Sequence, residues 1–207
     1  MAFRVRVQKT RWSASKRGFS YELSEAKERE LFSLDARCYH CGIQATGVRP
    51  LGPDRLDPEA KEYTDEGTVS CCKPCNFARG GMSVDTFHKA CSNVAKYQCD
   101  GVETHDKIVY VMGTGHQYGN GISYQRTCYN AKTKGIVVEI TKEEHTRLVS
   151  SKCYLCGVSG RLGVDRKDSR QGYTNDNSFA CCSCCNYMKK ELPFDDFVAL
   201  CIRVHQK

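Results

Sequence analysis

The cysteines of this chain are spaced for metal. Cys38 and Cys41 stand two residues apart in "CYHCG", and Cys72 and Cys75 repeat the gap in "CCKPCN". The pattern returns with Cys153 and Cys156 in "CYLCG" and Cys182 and Cys185 in "CCSCCN". Two such pairs supply four thiolates, the ligand set of a closed tetrahedral structural zinc site with Zn–S distances near ~2.3 Å. The plain alternative is disulfides or ordinary buried cysteines; one spacing recurring in matching contexts weighs against it. Cys71, Cys181 and Cys184 crowd the second pairs. Cys72 and Cys182 keep the two-residue gap and are the expected ligands, which gives two structural zinc ions, one per half.

The segments that must carry these pairs also repeat. Ala14, Gly18, Glu22 and Leu23 align with Ala131, Gly135, Glu139 and Ile140. "NFARGGMSVDTFHKAC" aligns with "NYMKKELPFDDFVALC", so that Phe87 and Cys91 fall on Phe197 and Cys201. The chain reads as a tandem duplication of one module: a first unit over 1–97, a connector over 98–122, and a second unit over 123–207. Within the connector, Lys107 to Met112 reads as a strand, followed by a Gly-rich turn around His116.

Each unit has the same expected elements. Thr141 with Glu144 is a capping-box signature, and Ser24 opens a weaker version. Phe194, Phe197, Val198, Cys201 and Val204 recur at helical spacing, as do Phe87, Ala90, Cys91 and Val94; these stripes are expected to be core. "LGVDRKD" and "NSFACC" predict two short strands either side of "SRQGYTND". Trp12 and Phe19 are expected in the core. The fold class is α+β: two small zinc-stapled units with flanking helices. Each half is small enough for a metal to matter to its folding.

The second unit as a whole, "CYLCG … LGVDRKDSRQGYTNDNSFACCSCCNYMKK", resembles the zinc-binding branch of the HNH (ββα-metal, treble-clef-like) endonucleases of the phage and large-virus type. The resemblance rests on the zinc pairs, DR, GYT and CN arriving together and in order, and it covers most of the first unit too. It implies a hairpin and helix holding one catalytic divalent cation, Mg²⁺ or a similar hard ion. Asp165 would be one ligand, Asn186 the second, and Asn177 would orient the general base. Asp54 and Asn76 occupy the ligand positions in the first unit.

The sequence departs from that family where the chemistry is most demanding. The general-base His is replaced by Arg166, and by Arg55 in the first unit. An arginine cannot deprotonate at neutral pH, although it clamps phosphate well. Tyr173 and Tyr187 are neighbouring candidates for a replacement base, with packing as their plain reading. In the first unit Gly67 stands where Asn177 stands in the second, so the set Asp54, Arg55, Asn76 reads as a degenerate site.

A net charge of +7 suits a nucleic-acid partner, expected to be duplex DNA. Arg79, Lys189 and Lys190 are candidate phosphate contacts or a solvated basic face. His40, between zinc cysteines, is expected to be exposed rather than a ligand. No apolar run is long enough for a membrane span, and fifteen cysteines suit a reducing compartment, cytoplasm or nucleus, or a virion, better than secretion. The acid-free N-terminus is compatible with a transit peptide but reads better as part of the first repeat. Two functions follow: a metal-dependent DNA endonuclease cutting with the second unit, or a catalytically inactive zinc protein serving a large assembly such as a virion or ribosome.

Overall fold

The computed structural model describes residues 3–103, 110–111, 117–118, 123–160 and 162–207. The chain divides into two compact units, Met1–Phe87 with Gln206–Lys207, and His88–His205. The division falls inside a long helix, ten residues before the boundary expected from the repeat.

The first unit opens with α1 (Phe3–Lys16), followed by β1 (Ser20–Tyr21) and α2 (Glu25–Phe32). Ser24 caps α2, its hydroxyl accepting from Lys27 N at 3.2 Å, which satisfies one of the free amides of the first turn. Val7, Ala14, Leu23, Leu31, Phe32 and Tyr63 form the buried cluster between these elements. Each large apolar side chain there contributes about 1.5–3 kcal/mol. Glu28 is buried in the same place and is matched by Arg11, Nη2 to Oε1 2.9 Å. Phe19 packs half-buried against this cluster. Trp12 does not: it is 66% exposed, so it is not the core residue its type suggests.

A short hairpin follows, β2 (Gly52–Arg55) antiparallel to β4 (Thr68–Cys71), with Asp54 opposite Val69. Between them β3 (Glu62–Tyr63) pairs in parallel with β1, tying the hairpin's loop to the segment after α1. Then come α3 (Lys73–Arg79) and α4 (Val84–Asp100).

Of the strand expected within 107–112, the described part is β5 (Tyr110–Val111), antiparallel to β6 (Gln117–Tyr118); the rest of it and the Gly-rich turn at His116 lie outside the described residues. The second unit then repeats the order with α5 (Tyr124–Thr133), α6 (Lys142–Val149), β7 (Gly163–Arg166), β8 (Ser178–Cys181), α7 (Ser183–Lys189) and α8 (Phe194–His205). Both halves of the Thr141/Glu144 capping box form. β7 and β8 pair antiparallel with Asp165 opposite Phe179. Most of the stripes expected to be core are core: Phe87, Ala90, Cys91, Val94, Phe197, Cys201 and Val204 are buried, while Phe194 and Val198 are only half-buried.

The two units share fine details. Each first helix ends in a positive-φ glycine, Gly18 at 70° and Gly135 at 65°. Phe19 N donates to Ala14 O, and Ile136 N to Ala131 O, at the same repeat positions. Val138 bridges Tyr173 in parallel, as β1 does β3. In the second unit Gly157, at φ +72°, lies so close to the Tyr97 ring that an added Cβ would sit 2.5 Å from it. The fold is thus α+β in two small units, each built around a cysteine cluster and flanked by helices.

Candidate metal centres and the carboxylate beside each

Two four-cysteine clusters lie in the structure, Cys38, Cys41, Cys72 and Cys75 in the first unit and Cys153, Cys156, Cys182 and Cys185 in the second. Within each, the sulfurs lie within 4.8 Å of one another. Cys41 and Cys72 sulfurs are 3.8 Å apart, as are those of Cys156 and Cys182. A tetrahedron with Zn–S distances of about 2.3 Å has edges of about 3.8 Å. A disulfide needs about 2.05 Å, and all fifteen cysteines are free. The clusters therefore fit zinc and not disulfides.

Local structure explains the fit. Each first pair sits in a knuckle anchored to the hairpin, by Tyr39 N to Ser70 O at 2.8 Å and Tyr154 N to Ala180 O at 2.9 Å. Each second pair sits at a helix start, and its first sulfur caps that helix: Cys72 accepts from Cys75 N, Cys182 from Cys185 N. Cys72 N also donates to Cys38 Sγ at 3.3 Å. Such amide donors favour thiolate over thiol. Hydrogen bonds from neighbouring thiols, Cys41 and Cys156 first, pull Cys38 and Cys153 far below the usual thiol range. The crowding cysteines stay outside the clusters. Cys71 and Cys181 turn to the carbonyls of Cys72 and Cys182, and Cys184 packs on Met188.

Beside each cluster lies a buried carboxylate from the first hairpin strand. Asp54 is gripped at both oxygens by Arg79, Nη2 to Oδ1 2.6 Å and Nε to Oδ2 3.1 Å. His40 Nε2 lies 3.2 Å from Oδ2. Burial pushes the Asp54 carboxyl up, but hydrogen bonds from His40 and Arg79 outweigh it and the net shift is down. Arg79 also donates to the carbonyls of Met82 and Arg55. His40 is fully buried, against the exposure expected from its place between cysteines. Arg79 and Lys189 are likewise buried, neither a solvated face nor available to phosphate.

In the second unit Asp165 receives Tyr154 Oη at 2.7 Å and Lys189 Nζ at 3.1 Å, both on Oδ2. Oδ1 takes no hydrogen bond among the described residues. Lys189 also donates to Arg166 O at 3.0 Å. Burial first, then the Asp165 charge, pushes the Tyr154 phenol well above its ordinary range. Leu155 stands where His40 stands in the first unit.

The remaining predicted site residues are placed as follows. Arg166 Nη1 donates to the carbonyls of Ser169 and Gln171, at 2.7 and 2.6 Å, and its guanidinium lies 5.4 Å from the Tyr173 ring. Arg55 stacks on Phe19 at 4.3 Å. Asn177 is buried with its amide spent on the hairpin loop: Oδ1 accepts from Asp168 N, and Nδ2 donates to the carbonyls of Asp168 and Gly172. Gly67 keeps the equivalent backbone bond, accepting from Leu56 N as Asn177 O accepts from Lys167 N. Asn76 and Asn186 lie on α3 and α7, directly after the last cysteine of each cluster. Burial pushes Tyr173 up; Lys190 Nζ lies 4.8 Å from the Tyr187 ring. The buried partners Tyr154, His40 and Lys189 were not singled out as Asp-binding groups from sequence; a cation four residues after the last cysteine, Arg79 and Lys189, was the available signal.

No protein-family model matches the chain. It is 27% identical over 192 residues to an uncharacterized protein of Acanthamoeba polyphaga mimivirus, R423, covering 91% of this chain and 34% of that protein. The chain thus spans about a third of that relative's length. Among solved structures it is similar to the rare-cutting HNH restriction endonuclease PacI, with a TM-score of 0.35 and 24% identity, over 41% of this chain and 75% of that one. A likeness at that score carries no residue roles across. No helix among the described residues is long and apolar enough to cross a membrane.

Proposed function

We propose that the chain is a nucleic-acid-binding zinc protein of the HNH endonuclease type, built by duplication, in which the first unit holds a closed, non-cutting copy of the site and any phosphodiester cleavage belongs to the second. One observation carries the difference between the copies. Arg79 fills both oxygens of Asp54 with the fork of its guanidinium. The closest approach of Lys189 to Asp165 is to Oδ2, and Oδ1 takes no hydrogen bond among the described residues, which leaves it for a hard cation. Asp165 and Asn186 would hold that cation, and it would supply charge stabilisation as water is added across a P–O bond. Asn177 positions the loop carrying Asp168, and Arg166 is held at the mouth of the hairpin by Ser169 and Gln171. The expected partner is duplex DNA, and the mimivirus relative makes a viral setting the natural one to test.

A second reading has its own observation. Among the described residues the partners of Asp165 are Tyr154 and Lys189, the usual histidine position holds Arg166, and burial pushes the Tyr154 and Tyr173 phenols up, away from the range of a neutral-pH base. The same scaffold would then be a zinc protein that binds without cutting, as a component of a larger assembly.

Supercoiled plasmid with Mg²⁺ or Mn²⁺ separates these. Cutting by the parent that is lost in Asp165→Asn and kept in Asp54→Asn supports the first reading. Loss in Asp54→Asn alone reverses the two copies. No cutting by a parent that still binds DNA supports the second.

A further inference from the structure

The first helix of each unit carries an unusual surface. Residues 1–21 hold six Lys and Arg and no acid, whereas the rest of the first unit holds nine Lys and Arg against twelve Asp and Glu. The basicity of this unit therefore resides in α1. At about 100° per residue, Val5, Trp12 and Lys16 share one stripe of α1, with Lys9 between that stripe and the face carrying Arg6 and Thr10. Val5 is 40% and Trp12 66% exposed, and Lys16 Nζ lies 5.7 Å from the Trp12 ring. The stripe borders a groove of about 430 Å³ lined by Arg6, Lys9, Lys73, Asn76 and Phe77 among others. Lys9 and Lys73 are exposed, with no ion-pair partner among the described residues.

The second unit repeats the motif at the matched position. Trp12 aligns with Tyr129 in the register that aligns Ala14 with Ala131. Tyr129 is 60% exposed, and Arg126, aligned with Lys9, lies 5.5 Å from its ring. Leaving a large aromatic ring in water twice, each time beside a cation on an acid-free helix, is not explained by packing. A flat ring flanked by ammonium or guanidinium groups offers a base a stacking face and its phosphates a counter-charge.

We propose that α1 and its groove bind a single-stranded stretch of DNA, with Trp12 stacking on an unpaired base and Lys9, Lys16 and Lys73 holding its phosphates. This rests on the nucleic-acid reading above and names the surface that performs it.

Trp12 is the only tryptophan in the chain, so its emission reports this contact alone. Full-length zinc-loaded protein is titrated with an oligo-dT strand of about 15 nucleotides and with a duplex of equal length at low salt. The strand is expected to quench Trp12 emission. Trp12→Ala is expected to weaken strand binding roughly 5- to 150-fold, and Lys9→Ala with Lys73→Ala to flatten the salt slope by about 0.7 each. Unchanged zinc content and circular dichroism show that the variants are folded. If the parent binds DNA while Trp12 emission and the Trp12→Ala affinity stay unchanged, this surface is wrong and the nucleic-acid reading stands. Quenching by duplex and not by strand overturns the single-strand assignment. If the parent binds neither at low salt, the nucleic-acid reading fails and this proposal with it.

Discussion

The ammonium of Lys189 sits 3.1 Å from Asp165 Oδ2, with 0% and 9% of the two side chains exposed. Arg79 and Asp54 form the corresponding pair at 2.6 Å in the first unit. Breaking a buried pair strands the remaining charge, which costs about 3–5 kcal/mol, while replacing both partners with apolar groups is often neutral. Lys189→Met alone is expected to lower stability by that amount, and Lys189→Met with Asp165→Leu to recover most of it. Urea unfolding of the singles and the double measures the coupling; additive losses would show that the pair is not a pair. Asp165→Asn and Asp165→Ala both leave that buried ammonium without its counter-charge, so circular dichroism and zinc content must accompany either one in a cutting assay.

Zinc loading should be two ions per chain on the four-ligand rule. Cys153→Ser or Cys182→Ser should remove one ion and unfold the second unit, since the metal supplies on the order of 10 kcal/mol to such a site. Mass spectrometry under native conditions counts the ions. Thiol labelling of native protein should spare the eight ligands while denatured, chelated protein labels at all fifteen cysteines. Full labelling of the native protein would exclude the metal sites.

His145 gives the second unit a pH dependence. The ring is buried, with Nε2 3.2 Å from Thr127 Oγ1, and burial lowers its pKa below the ordinary 6.5. A depressed folded pKa means the unfolded chain binds the proton first. The favourable contribution is present above about pH 6.5 and is lost as pH falls toward the folded value. Between pH 7 and 5.5 the parent should lose more stability than His145→Gln. Parallel pH profiles for the two proteins would refute this.

Lys190 ends α7 at φ 48° and ψ −116°, where Gly80 ends α3 at φ 54° and ψ −121°. A side chain in that region costs about 1–3 kcal/mol, which glycine avoids. Lys190→Gly should therefore raise the thermal midpoint by roughly 4 °C. A lower midpoint would mean that the Lys190 side chain contributes more than its backbone loses.

Much of this was legible in the sequence because it depends on spacing. The two-residue cysteine gaps, the Thr141/Glu144 box and the stripes through Phe87 and Phe197 are spacing signals, and the strands at Asp165 and Phe179 are marked by the turn-like stretch between them. What was not legible depends on long-range pairing. Nothing local to His40 or Lys189 says that each is buried against a strand residue more than ten positions away. Trp12 misled because residue type favours burial, whereas its side of α1 faces solvent. The amide of Asn177 pins the loop that Asp168 and Gly172 form, and no local pattern announces those three bonds.

The cysteine clusters also change what the chain's charge means. The formal value of +7 counts every thiol as neutral. A divalent ion held by four thiolates leaves each metallated cluster near −2, so the loaded protein carries about +3. Its attraction for a polyanion is then not a property of the molecule seen from afar. It is a dipole-like asymmetry: anionic clusters buried inside each unit, and an acid-free cationic helix at the surface of the first. Over a screening length of about 8–10 Å at moderate salt, an approaching strand feels the charges nearest to it, which on α1 are cations with no acid among them.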